Sequence, residues 1–217
     1  MRQTRTFCDI LYLLLPCLFM AAAAGCSNYS QIRVERESHI GDSYSPVPSS
    51  AKVPVLKVNA REAERRISSG WAVGVAECPG AARDFADLVA HAADRAQWAQ
   101  VLSPIQVEDK VEGQDLEFDL QLDGERLDRV AGALDCPYYL TADVRRWRMS
   151  YFLFFQRSCI EYSLSCHEAG REEPLWRAEV EACERYATDR TVAVQALERT
   201  FQRVREKGRA SSREGGN

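Results

Sequence analysis

"SCIEYSLSCHEAGREEPLWRAEVEAC", residues 158–183, is the stretch that decides the fold. On its first arm Ile160, Tyr162, Leu164 and Cys166 alternate with Glu161, Ser163 and Ser165; on its second, Trp176, Ala178, Val180 and Ala182 alternate with Arg177, Glu179 and Glu181. Successive side chains of a strand point to opposite faces, so this period of two predicts a hairpin of two strands, each with one packed and one wet face. Upstream, "YYLTADV" (138–144) repeats the pattern, with Tyr138, Leu140, Ala142 and Val144 inward and Thr141, Asp143 and the following Arg145 outward. Downstream, a Thr188/Asp189 cap opens a helix whose Val194, Leu197, Phe201 and Val204 form an apolar stripe ending at Gly208. That stripe needs a sheet to cover.

The preceding half alternates strand and helix. "WAVGVAE" (71–77) reads as a strand buried on both faces, "CPG" turns the chain, and Phe85, Leu88, Val89, Ala92 and Ala96 recur at helical spacing to about Trp98. "QVLSPIQV" (100–107) reads as a second strand ended by Pro104, followed by an acidic loop from Glu108 to Asp123 and a short helix marked by Leu127, Val130, Ala131 and Leu134. "VPVLKV" (53–58) can add an edge strand. The order β-α-β-α-β-β-β-α predicts an α/β fold (an α+β sandwich), a mixed sheet with helices packed on one face, spanning residues 53–207 as a single domain.

The amino terminus reads differently. Arg2 and Arg5 precede an apolar run from Ile10 to Ala24, too short for the roughly 20 residues that a spanning helix needs. A basic start, an apolar centre and a small-residue exit are the parts of a secretory signal, here residues 1–25. At the exit, Ala23-Ala24-Gly25-Cys26 resembles the bacterial lipobox, which implies cleavage before Cys26 and lipidation of its thiol; ordinary secretion after Ala22-Ala23-Ala24 is the alternative. Ser27 and Asn28 follow the cysteine, and the aspartate that resembles an inner-membrane retention signal is absent from the second position, so the implied address is the periplasmic face of the outer membrane. Residues 26–52, rich in Ser, Pro and Tyr ("SYSPVPSS", 43–50), read as the lipidated cysteine and a flexible tether, and residues 208–217 as a disordered tail.

The order of elements, the early strand "WAVGVAE", the passage "VAGALDCPYYLTADV" (130–144) and the hairpin "HEAGREEPLWRAEVEA" (167–182) together resemble the small periplasmic lipoprotein domains of the TolB amino-terminal, LpoB and CsgG type. The second of these is similar to that group's A-x-x-L-G-A-D-Y segment and the third to its D-x-x-T-G-x-x-L-W segment, although Asp135-Cys136-Pro137 stands where the group has Gly-Ala-Asp. The resemblance implies non-catalytic work: activating or docking partner proteins, or oligomerising into export assemblies. It carries over no functional residue.

The residues themselves offer little chemistry. Of 217 residues 46% are hydrophobic and 28% charged, ordinary for a globular domain, and the net charge of −4 becomes −5 once a leader whose Arg2, Arg5 and Asp9 sum to +1 is removed. That balance argues against nucleic acid as a partner. Cys166 and His167 are strand neighbours, so their side chains point to opposite faces and form no nucleophile–base pair; the same parity divides Cys159, Cys166, His167 and Cys183 as zinc ligands. There is no GxSxG, phosphate loop or HExxH. No catalytic residue, metal or cofactor is expected. The reading is a non-catalytic scaffold or adaptor of envelope assembly or export, anchored by lipid, with envelope proteins or further copies of itself as partners. A secreted or surface binding module for a small ligand or glycan, or an adhesin, is the alternative. In either, an exposed "YFLFF" with Tyr151, Phe152, Phe154 and Phe155 is a partner surface, whereas a buried one is core.

Five cysteines remain after Cys8, Cys17 and Cys26: Cys78, Cys136, Cys159, Cys166 and Cys183. An oxidising compartment favours pairs, and an odd number leaves one thiol over. If the partner numbers of the hairpin sum to 342, Cys159 stands directly opposite Cys183, within disulfide reach; sums of 340 or 344 stagger them. Cys78 with Cys136 is a second possible pair, leaving Cys166 as a buried free thiol.

Overall fold

The computed structural model describes residues 33–40, 44–60, 65–69, 72–76, 81–114, 116–151 and 156–214, of which 33–40, 65–69, 72–76, 151 and 212–214 are described as backbone alone. The chain divides into two units, Met1–Gln31 and Ile32–Asn217, the first lying outside the described residues. In the second unit the elements are β1 (Arg33–Ile40), β2 (Lys52–Asn59), β3 (Arg65–Ser69), β4 (Ala72–Ala76), α1 (Ala81–Arg95), β5 (Gln100–Leu102), α2 (Pro104–Val111), α3 (Gly124–Ala133), β6 (Tyr138–Tyr151), β7 (Gln156–Glu168), β8 (Trp176–Arg185) and α4 (Asp189–Glu214). This is a mixed α/β sheet of order β1-β8-β7-β6-β2-β5, with β3 joining β6 and β4 joining only β3 among the described residues.

The three alternating runs are the antiparallel meander β6-β7-β8, and its register pairs Ile160 with Ala182, Tyr162 with Val180 and Leu164 with Ala178. Their inward residues meet α1 and α4. Phe85 of α1 lies 5.4 Å from the Tyr162 ring, and Trp98 lies 5.4 Å from Trp176 and 5.0 Å from Phe201. Leu197, Phe201 and Val204 of α4 are buried as expected, whereas Val194 is only partly buried and Val192 and Ala196 complete the stripe. The buried Tyr162 hydroxyl is paired with Thr200 Oγ1 at 2.9 Å, and Thr200 in turn donates to the Ala196 carbonyl at 3.0 Å.

"VPVLKV", read as an edge strand, is an interior strand of the sheet. "WAVGVAE" contributes β4, whose only partner among the described residues is β3. The strand buried on both faces is β2, "KVPVLKVN": it runs parallel to β5 on one side and to β6 on the other. Val53, Val55 and Val58 enter the main core, while Leu56 enters a second, smaller one on the opposite face with Leu102, Val107 and Leu127. Apolar side chains on both faces are what a parallel central strand requires. The long helices α1 and α4 lie on one face as expected, and the two short helices α2 and α3 cover the β2 end of the other.

Four segments differ from the sequence reading. Residues 104–111, read as strand end and acidic loop, are helix α2: Pro104 sits at the first helical position, where its missing N–H costs nothing, and the Gln106 side chain accepts from the Ser103 N–H at 2.9 Å. Residues 33–40, read as tether, pair with β8 as strand β1, because β8 otherwise presents an open edge. Residues 44–51 are also held: the Tyr44 hydroxyl donates to the Val204 carbonyl at 3.0 Å and the Ser45 N–H to the Leu175 carbonyl at 3.0 Å. Finally, α4 does not stop at Gly208 but runs to Glu214 through residues read as a disordered tail. Gly208 is there for clearance, since a Cβ at this position would lie 2.6 Å from the Tyr44 hydroxyl.

Candidate functional site

The outward residues of β6, β7 and β8 form a polar floor on the face opposite α1 and α4. Sheet register sets them in rows. Arg177, Ser165, Thr141 and Lys57 make one row across four strands, and Glu179, Ser163, Asp143 and Asn59 make the next. On the far side of the first row His167 stands opposite Tyr139, the two rings stacked at 5.3 Å and 12°.

A bulge sharpens the charge pattern. Val144 pairs with Tyr162 but Arg146 pairs with Glu161, so Arg145 is an extra residue and two guanidinium groups stand side by side. Arg145 lies 3.6 Å from Asp143, 3.9 Å from Glu161 and 3.6 Å from Glu179; Arg146 lies 3.5 Å from Glu161 and 3.3 Å from Glu181. Arg177 reaches Glu179 at 3.2 Å and donates to the Ser163 hydroxyl at 2.9 Å. Singly, such exposed pairs contribute about 0–1 kcal/mol each, so their effect is to order the surface more than to stabilise it.

Where the row residues are short, the floor sinks into a groove of about 610 Å³. Leu127 and Asp128 of α3 and the 170–174 turn line it, and Asp128 Oδ1 accepts the Gly170 N–H at 3.3 Å, tying the two together. Gly170 has φ +78°, a left-handed conformation that suits glycine in this turn. His167 is linked to Thr141 Oγ1 at 3.1 Å. Burial holds its imidazole below the ordinary histidine range, the Arg177 charge adds to this and Asp128 opposes it. Burial pushes the Tyr139 phenol up, with Asp128 acting in the same direction. The arrangement offers hydrogen bonds and paired charges.

Cys159 and Cys183 are directly opposed and joined, with an S–S distance of 2.08 Å and a Cα–Cα distance of 4.1 Å. Cys166 and Cys136 are free and buried. Burial holds both thiols above the ordinary cysteine range, so neither is a thiolate at neutral pH. Cys136 packs in the second core and its thiol donates to the Leu134 carbonyl at 3.4 Å, while its candidate partner Cys78 lies outside the described residues. Cys166 and His167 do face opposite ways: the thiol is in the main core and the imidazole is on the polar floor. Cys26, Phe152, Phe154 and Phe155 lie outside the described residues, and Tyr151 is described only as backbone paired with Gln156. Among the described residues no three His, Cys, Asp or Glu side chains converge as for a metal, and no helix is long and apolar enough to cross a membrane.

Sequence reasoning saw Thr141, Ser163, Ser165 and Arg177 only as wet positions. A signal was present, because the outward positions of β7 next to the turn are small hydroxyls where solvated strands more often carry long charged side chains. The contribution of Lys57 depended on β2 lying beside β6, which no local pattern shows.

No protein-family model and no curated protein sequence matches the chain. Among solved structures it is similar to the PelC dodecamer from Paraburkholderia phytofirmans (TM-score 0.52, 12% identity, covering 77% of this chain and 97% of that one). It is also similar to the lipoprotein GNA1162 from Neisseria meningitidis (0.45, 12%, 72% and 99%) and to the LpoB C-terminal domain from Salmonella enterica (0.35, 14%, 64% and 86%). At these identities the likeness concerns the fold alone, that of a small α/β domain.

Proposed function

We propose that the protein is a non-catalytic adaptor of the bacterial cell envelope, anchored to the periplasmic face of the outer membrane by lipid on Cys26, and that it meets its partners through the polar sheet face. The observation that carries this reading is the ordered ladder on that face, in which Arg145 and Arg146 are fixed by Asp143, Glu161, Glu179 and Glu181 on a rigid sheet. Pre-arranged charges of both signs favour specific docking and speed encounter. The lipobox-like Cys26 supports the address.

Two experiments test it. In cells labelled with a fatty-acid analogue, the wild-type chain takes up label and Cys26→Ala does not; a wild type that takes up none and starts at Gly25 returns the protein to the secreted class. A photo-crosslinker at Glu181 in intact envelopes gives a discrete adduct that Arg145→Glu/Arg146→Glu abolishes; no adduct from a correctly anchored chain removes the adaptor reading. Self-association is the second reading, supported by the dodecameric state of PelC, and an adduct at twice the chain mass distinguishes it.

A further inference from the structure

We propose that the groove lined by α3 and the 170–174 turn is a carbohydrate subsite that takes a short neutral glycan segment. The inference rests on the polar sheet face being a binding face and names the ligand class that the groove fits.

Shape comes first. The groove's volume of about 610 Å³ falls in the range of roughly 300–1,000 Å³ typical of small-molecule sites. Its depth has a sequence cause: Thr141, Ser163 and Ser165 are short, while Lys57 and Arg177 close the ends of their row. Because the floor is a sheet face, its backbone groups are already paired in the ladders. An extended polypeptide therefore finds no free strand edge to join, which disfavours a peptide.

Chemistry narrows the class. Thr141 and Ser165 hydroxyls both donate and accept, Asp128 and Asp143 only accept, and Lys57 and Arg177 only donate. A phosphate or other anion drawn to Lys57 and Arg177 would meet Asp128 and Asp143, and a simple cation would meet the reverse. An apolar chain would strip water from these polar groups and offer their remaining hydrogen-bonding capacity nothing in return, which is unfavourable. A ligand whose neighbouring hydroxyls each donate and accept satisfies both signs at once. The partly exposed His167 ring, backed by the buried Tyr139 ring stacked on it and held by Thr141 at 3.1 Å, offers one flat face to the C–H side of a sugar ring.

The test is calorimetric titration of the full chain in detergent with neutral trisaccharides of N-acetylglucosamine, glucose and mannose, and separately with inorganic phosphate. At least one trisaccharide binds saturably; Asp143→Asn and Arg177→Gln each weaken it about tenfold, while Arg83→Gln, on α1 at the opposite face, leaves it unchanged. Thr141→Ser keeps the hydroxyl and retains binding, which separates lost contacts from lost folding. Absence of saturable binding by every trisaccharide up to about 10 mM, a binding free energy weaker than about −2.7 kcal/mol, overturns the proposal. So does binding that ignores the Asp143 and Arg177 changes, or phosphate that binds as tightly as the best sugar. Failure here together with a protein adduct at Glu181 leaves the adaptor reading standing; sugar binding without an adduct does the converse.

Discussion

Replacing both Cys159 and Cys183 by alanine tests whether the bridge stabilises the protein by restraining its unfolded chain. The cysteines are 24 residues apart in sequence and their side chains are buried, so alanines fit the site without strain. Cross-linking a loop of this length removes about 11.6 cal/mol/K of unfolded-state entropy, or about 3.4 kcal/mol at 25 °C. For a chain of this size that is a fall in melting temperature of about 7–14 °C. The same logic makes a second, sharper forecast: Cys159→Ala, Cys183→Ala and the double variant should all lose nearly the same stability, since either single change opens the loop. Urea unfolding of the oxidised wild type and the three variants reads both quantities, and the denaturant slope should rise in all three as the unfolded chain expands. Single losses that add up to the double loss would refute the loop-closure argument and locate the effect in local packing. A double variant within about 1 kcal/mol of the wild type would refute it altogether.

Thr200→Val should destabilise by about 1–3 kcal/mol, because it leaves the buried Tyr162 hydroxyl without its partner; adding Tyr162→Phe should recover most of that loss in a double-mutant cycle. The depressed His167 pKa means that below about pH 6.5 the unfolded chain takes up a proton that the folded chain refuses, so stability is full above that pH and falls as the pH is lowered toward the folded value. Melting curves from pH 8 to 5 should show this decline, and His167→Gln should flatten it. Gly208→Ala offers α4 about 1 kcal/mol of helix propensity but places a methyl group against Tyr44, so the melting temperature should stay nearly constant while amide exchange at 44–46 accelerates. A clear rise in melting temperature with exchange unchanged would mean that Tyr44 does not pack there.

The hairpin was legible because its information is local. A period of two over "SCIEYSLSC" and "LWRAEVEAC" states which face is buried, and a one-residue slip would turn every apolar side chain outward. Matching those faces left few registers, one of which sets Cys159 against Cys183, and that register is the one in the structure. Helix α4 was equally plain, since Leu197, Phe201 and Val204 mark one stripe and Thr188 caps its start through a bond to the Thr191 N–H at 3.1 Å. Tertiary contact decided the rest. "VPVLKV" and "WAVGVAE" are both short apolar runs, and only the presence of a parallel neighbour on each side makes β2 an interior strand. Strand β1 exists because β8 has an edge to fill, and α4 continues past Gly208 where Tyr44 closes on it. The groove is the clearest case: Lys57, Thr141, Ser165 and Arg177 are spread over 121 residues of sequence and become one row only when four strands align. Sequence period reports which way a side chain points, whereas the neighbour it meets across the sheet is set by strand order, which no local pattern encodes.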